Sequence, residues 1–116
     1  MIGLGVDAVD VDRFGRVLAR TPRMAARLFT DAELSIEQVP RLAARFAVKE
    51  AVMKAMGVGF GAFGWHEVET VRAASGAPVV VLRGAAAQLA NQHGISRWLV
   101  SLTHTDTTAV AVVAAL

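Results

Sequence analysis

The sequence contains no cysteine, so disulfides, thiolate metal sites and cysteine nucleophiles are all excluded. Proline is scarce, and each of its 3 copies punctuates the chain: Pro22 and Pro40 stand where helical patterns open, and Pro78 sits in a turn cluster. No long hydrophobic run is present. The longest, Ala109 to Leu116, is far short of the roughly 20 residues a spanning helix needs. The start, Met1-Ile2-Gly3-Leu4-Gly5, lacks a basic leader region and a cleavage-site pattern, so a soluble cytoplasmic protein is expected. Charge of one sign is not in large excess: 12 Lys+Arg against 10 Asp+Glu leave +2, too little to imply nucleic acid. There is no internal repeat, linker or low-complexity segment, and 116 residues fit one domain, 1–116, with a modest core. Self-association would hide more apolar surface than one small chain can.

What is present is ordered patterning. Ile2, Leu4, Val6 and Ala8 alternate with Gly3, Gly5 and Asp7, which reads as a strand with room beside the Asp7 carboxylate. After Asp10, Val11, Phe14 and Leu18 recur at helical spacing, with Arg13, Arg16 and Arg20 on a separate stripe. Thr21-Pro22 predicts a fresh helix start, with threonine as N-cap. Thr30-Asp31-Ala32-Glu33 is a capping-box pattern. The longest helix is expected from Arg41 to Met56, closed by Gly57, and a loop carrying glycines 57, 59, 61 and 64 follows. Trp65 to Arg72 and Val79 to Arg83 read as strands, Ala85 to His93 as a surface helix ended by Gly94. Trp98 to His104 and Thr108 to Ala114 read as a final strand pair. Strands bunched after helices predict an α+β domain, helices packed on a largely antiparallel sheet.

Wound at about 100° per residue, the long helix puts Leu42, Phe46, Met53 and Met56 on one side, with Lys49 among them and Glu50 at the edge. The other side is small and apolar: Ala43, Ala47, Val48, Ala51, Val52 and Ala55. A helix apolar nearly all round is buried, and its charges then need partners or a metal. The i, i+4 spacing of Glu50 and Lys54 suits an ordinary helix ion pair. It suits equally a metal-ligating Glu50, with Lys54 and Arg45 meeting phosphates. Asp7 in turn fits either a metal ligand or a cap on the next helix, and spacing does not bring it to Glu50.

Four segments carry a resemblance to a known family. They are Gly5-Val6-Asp7-Ala8-Val9-Asp10-Val11-Asp12-Arg13-Phe14; Leu28-Phe29-Thr30-Asp31-Ala32-Glu33-Leu34; Ala44 to Gly57 with its Arg45-Phe46 and Lys49-Glu50-Ala51 signature; and Val100-Ser101-Leu102-Thr103-His104. In order and spacing they resemble the holo-acyl-carrier-protein synthase family, the small phosphopantetheinyl transferases. The resemblance implies transfer of 4'-phosphopantetheine from coenzyme A to a serine of an apo acyl carrier protein, releasing adenosine 3',5'-bisphosphate, within lipid biosynthesis. It implies Asp7 and Glu50 as Mg2+ ligands, with Lys54 beside them as a catalytic and cofactor-binding group. Arg45 and His104 would meet the nucleotide end of coenzyme A. Arg13, Arg16, Arg20 and Arg23 would dock the acidic carrier, Arg13 by motif and the others by region. It further implies a homotrimer with active sites at subunit interfaces. No general base is assigned: a metal-ordered water, Glu50 and Asp31 stay open.

The chain departs from the family at His66-Glu67-Val68-Glu69, where many relatives carry Asp-Ile-Glu, and at Thr103, where serine is commoner. The stretch between Glu33 and Arg41 looks short, so a loop near the nucleotide is expected to differ. Two other classes compete. A non-catalytic binding module would have lost an acidic ligand or Lys54, and a hydrolase would need a further acid or histidine cluster to activate water.

Overall fold

The computed structural model describes residues 1–36 and 38–116. Strand β1 (Gly3–Asp10) leads through helix α1 (Val11–Arg20) and two short helices, α2 (Met24–Leu28) and α3 (Asp31–Leu34), to the long helix α4 (Val39–Met56). A 3-10 turn (Trp65–Glu67), the hairpin β2 (Val68–Arg72) and β3 (Pro78–Leu82), helix α5 (Gly84–Gln92), β4 (Trp98–His104) and β5 (Thr108–Ala115) complete the chain. β1, β5 and β4 form one antiparallel sheet in that order, and β2 and β3 a second. The expected α+β architecture is observed. No helix among the described residues is long and apolar enough to cross a membrane.

α4 lies across the inner face of the three-stranded sheet, and small residues on both sides set the spacing. Gly3 and Gly5 face it from β1, and Ala111, Val113 and Ala115 lie opposite in register on β5, all three buried. A Cβ on Gly3 would sit 2.0 Å from the Ala55 carbonyl oxygen, and one on Gly5 1.9 Å from that of Ala51. The room expected on the glycine face of β1 is therefore taken by the α4 backbone itself, not left for a ligand. The outer face of the sheet is apolar and uncovered, with Leu4 62% and Val6 55% exposed beside Leu99 and Val112.

Lys49 sits within the apolar stripe of α4, as its position predicts, and is 1% exposed. Its ammonium donates to Glu33 Oε1 at 2.8 Å, to the Trp65 carbonyl at 3.0 Å and to the Val68 carbonyl. Glu33 also completes the expected capping box with Thr30 and accepts from the Thr70 N–H at 3.2 Å. Burial holds the Lys49 pKa below the usual lysine value, opposed by Glu33. Every donor of Lys49 thus meets oxygen, the condition under which a buried charge is tolerated. The pair ties α4 to α3 and to the turn before β2.

Two local expectations are corrected. Thr21 closes α1, its N–H bonding to the Val17 carbonyl, rather than capping α2; the Met24 N–H returns to the Thr21 carbonyl at 2.9 Å, so Thr21-Pro22-Arg23 is a turn. Trp65 to Glu67 is a 3-10 turn, not strand. The reason is the Glu67 carboxylate, which accepts from the Gly64 N–H at 2.9 Å and the Ala86 N–H at 3.0 Å and curls the chain. The short stretch from Glu33 to Arg41 includes residue 37, outside the described residues, so the expected difference in that loop is only partly visible.

The helix–strand contact yields a stability test. Gly5→Ala forces the β1 and α4 backbones apart and should cost about 3 kcal/mol or more, the upper end for overpacking. Gly59→Ala, where an added Cβ meets nothing within 4 Å, should change stability by less than about 1 kcal/mol. Urea unfolding midpoints of the two variants make the comparison.

Candidate active site

The close β1–α4 contact continues for one more turn, and there it carries charge. Asp7 follows the two glycines on the inner face of β1 and points at the helix turn that bears Glu50 and Lys54. Lys54 Nζ donates to Asp7 Oδ1 at 2.9 Å and to the Val6 carbonyl at 3.1 Å. Asp7 is buried, whereas most of the Lys54 side chain is exposed. The ordinary i, i+4 pairing of Lys54 with Glu50 is not what forms: among the described residues, Glu50 takes part in no ion pair. The helix-cap role falls to Asp10, whose carboxylate accepts from the Arg13 N–H at 2.9 Å.

Glu50 is half-buried, and two effects raise its pKa above the usual carboxylate value. Burial is the larger and the Asp7 charge the second, with Lys54 opposing. The hydrogen bond from Lys54 to Asp7, then the Asp7 charge, raise the pKa of Lys54. Two carboxylates from distant parts of the chain therefore repel each other, with one exposed ammonium as partial compensation. A divalent cation would relieve that repulsion. Among the described residues no group of three or more His, Cys, Asp or Glu could hold a metal. Asp7 and Glu50 alone would offer a cation two carboxylates. This fits magnesium, which keeps several waters and shares its shell with substrate phosphates, better than it fits a closed protein cage.

Asp7 and Glu50 open onto a cavity of about 670 Å³. Phe14, Phe46, Phe60 and Trp65 line it, and Arg13 and Arg27 stand at its charged parts. The rings follow one another, Phe14 stacked on Phe46 at 5.2 Å between centroids, Phe46 tilted against Trp65 at 5.3 Å and Trp65 tilted against Phe60 at 5.5 Å. Arg13, Arg16, Arg20 and Arg23 are exposed on α1 and the turn after it, and none is in an ion pair among the described residues. Of these four, Arg13 also lines the cavity.

Arg45 and His104 are brought together elsewhere. They line a second cleft of about 210 Å³ together with Arg41 and Arg72, and it shares no residue with the first cavity. Arg45 is buried, its Nε has no hydrogen-bond partner, and its Nη1 reaches the Arg41 carbonyl only at 3.4 Å. Asp31 is exposed on α3 and lines neither cavity. Sequence reading missed Arg27, Arg41 and Arg72 as lining residues. The i, i+4 step from Arg41 to Arg45 was a usable signal; nothing local marks Arg72.

The family profile described as the 4'-phosphopantetheinyl transferase superfamily matches residues 3–113. The chain belongs to the holo-[acyl-carrier-protein] synthase family of 4'-phosphopantetheinyl transferases. It is therefore a transferase. The holo-[acyl-carrier-protein] synthase of Frankia alni is 49% identical over 99% of this chain and 97% of its own length. The crystal structure of the Neisseria meningitidis enzyme of that name is 32% identical, with a TM-score of 0.90 covering 100% of this chain and 98% of its own. A coenzyme A complex of the synthase from Chronobacterium ammoniagenes is 26% identical, with a TM-score of 0.82 over 96% of this chain and 93% of its own. The four quoted segments all fall within the span the family profile matches.

The juxtaposition of the two acids can be tested without activity. In metal-free buffer, Asp7→Asn should move the Glu50 titration down part of the way toward the ordinary carboxylate range. Burial, the larger cause, keeps it from returning fully. Carboxyl carbon shifts followed through an NMR pH titration would show it; an unmoved Glu50 would mean that the two carboxylates do not sense each other.

Proposed function

We propose that the chain transfers the 4'-phosphopantetheine group of coenzyme A to a serine hydroxyl of an apo acyl carrier protein, with Mg2+, releasing adenosine 3',5'-bisphosphate. The observation that carries this reading is the meeting of Asp7 and Glu50 at a cavity bordered by Arg13 and Arg27, with Lys54 bonded to Asp7 just outside its lining. The coenzyme A complex of the related synthase supports coenzyme A as the donor. Asp7 and Glu50 would hold the magnesium ion, which when bound supplies positive charge to the diphosphate oxygens. Lys54, exposed on one side of Asp7, is free to swing its ammonium onto a phosphate oxygen and offset charge that grows as the bond breaks. The serine oxygen forms a new bond to the β-phosphorus, the bond from that phosphorus to the bridging oxygen breaks, and the bisphosphate leaves with the electron pair. The serine proton goes to solvent or a base this chain does not identify; Asp31, exposed and outside both cavities, is the weakest of the three candidates.

Arg13, Arg16, Arg20 and Arg23 are read as the docking surface for the acidic carrier protein. Exposed unpaired arginines chiefly speed and orient such an encounter. Arg45 and His104 are read as contacts to the nucleotide end, in the second cleft. Because the two clefts share no residue, we read the working enzyme as a homotrimer packed through the apolar outer sheet face of Leu4, Val6, Leu99 and Val112. The first cavity of one subunit would then be completed by the second cleft of its neighbour. Residues 1–116 would form the one catalytic domain, acting in the cytoplasm. A hydrolase reading has less support, since no group of three or more His, Cys, Asp or Glu among the described residues could hold a metal.

The test is the intact mass of an apo carrier protein incubated with coenzyme A, magnesium and this enzyme, wild type or variant. Wild type should add one phosphopantetheine group. Asp7→Ala and Glu50→Ala should each abolish the addition while staying folded, and the double variant should be no worse than either. Lys54→Met should lower kcat by roughly 10²-fold, the scale for one lost transition-state donor. Near-normal turnover in either alanine variant at saturating magnesium would contradict the reading.

A further inference from the structure

Helix α2 contributes Met24, Arg27 and Leu28 to the first cavity, and the 3-10 turn contributes Trp65. With 5 residues, α2 is too short to stand on its own hydrogen bonds. Arg23 caps its start with no side-chain bond, and Leu28 is its one buried residue. Its end leaves carbonyls without a partner inside the helix. The Thr30 N–H, four residues beyond Ala26, turns instead to Glu33 Oε1 at 3.1 Å. The Ala26 carbonyl is met from 40 positions away, where His66 Nε2 lies 2.7 Å from its oxygen. A carbonyl only accepts, so Nε2 carries a proton and donates, whether the ring is neutral or charged. The turn that holds His66 is itself fixed on both sides. Lys49, sealed in the core, donates to the Trp65 carbonyl at 3.0 Å, and the Glu67 carboxylate accepts from the Gly64 and Ala86 N–H groups.

We propose that His66 is a positioning residue for carrier binding: its bond to Ala26 holds α2 beside the Trp65 turn and keeps the next residue, Arg27, at the cavity. The inference rests on the transfer reading for its partner. Arg27 is exposed and in no ion pair among the described residues, so its guanidinium is open to an acidic protein. Without the His66 bond α2 frays and the Arg27 charge spreads over many orientations. The encounter that this charge steers then weakens. Asp7 and Glu50 stand on β1 and α4, neither of which the bond joins. The effect therefore falls on carrier binding and not on the chemistry.

The test compares wild type with His66→Leu, which removes the donor, and His66→Gln, which keeps an N–H donor on a side chain of similar reach. His66 is exposed, so both variants should fold. His66→Leu should raise KM for the apo carrier protein by about fivefold, the scale of one net hydrogen bond. It should leave kcat at saturating carrier and KM for coenzyme A nearly unchanged, and His66→Gln should restore the carrier KM. An unmoved carrier KM in His66→Leu overturns the inference. So does a rise in both KM values alike, which marks a merely structural role. Amide hydrogen exchange provides an arm free of turnover. The Arg27 and Phe29 N–H groups, bonded to the Arg23 and Ala25 carbonyls, should exchange faster in His66→Leu but not in His66→Gln. Exchange unchanged in His66→Leu overturns the inference even if transfer occurs. If wild type fails to modify a carrier protein while the exchange pattern holds, the transfer reading fails and the tie between α2 and the turn stands.

Discussion

The backbone-to-backbone contact between β1 and α4 sets the rest of the molecule. Gly3 and Gly5 let the strand lie against the carbonyls of Ala55 and Ala51 with no side chain between. Asp7, two residues further on the same face, is thereby delivered to the helix turn that carries Glu50 and Lys54. A larger residue at either glycine would lift the strand and separate the two carboxylates. The glycines are therefore site residues in effect, although they touch no reacting atom. Alanines on α4 and β5 keep the same narrow gap across the sheet.

Two lysines five positions apart on α4 do opposite work. Lys49 is sealed inside, spends all its donors on Glu33 and two carbonyls, and fixes how α4 sits against the turn before β2. Lys54 is open to solvent and holds the buried Asp7 by a single charged hydrogen bond. Such a pair contributes little to stability. Under the proposed transfer it would be traded for a phosphate, whereas removing one partner of the buried Lys49–Glu33 pair would leave an uncompensated charge, a loss of about 3–5 kcal/mol. Burial thus separates a sealed lysine from one open to solvent.

Much of the architecture was legible in the sequence because its signals are local. The alternation of β1, the capping box at Thr30 and Glu33, and the Gly57 stop of α4 each depend on residues a few positions apart. Alternation tells which residues share a face but not what covers it, so the glycine face read as vacant when the α4 backbone lies against it. Thr21-Pro22 has the composition of a helix start and also of a turn, and the Met24 N–H decides for the turn. The meeting of Asp7 and Glu50 was carried by the family resemblance, since no spacing rule joins residues 43 positions apart. The partners of Lys49 include main-chain carbonyls, which leave no trace in residue identity. Arg72 joins Arg45 only because the β2–β3 hairpin folds beside α4, a long-range fact absent from any window of sequence.

The central claim is that Asp7 and Glu50 form half of a magnesium site, completed by the diphosphate of coenzyme A. Such a site links the two ligands, each strengthening binding of the other by the same factor. Calorimetric titration of coenzyme A into the enzyme, with magnesium and with chelator, measures that link directly. The account predicts tighter coenzyme A binding with magnesium in wild type, and loss of this dependence in folded Asp7→Asn and Glu50→Gln. Coenzyme A binding equally tight with magnesium and with chelator in wild type would contradict it.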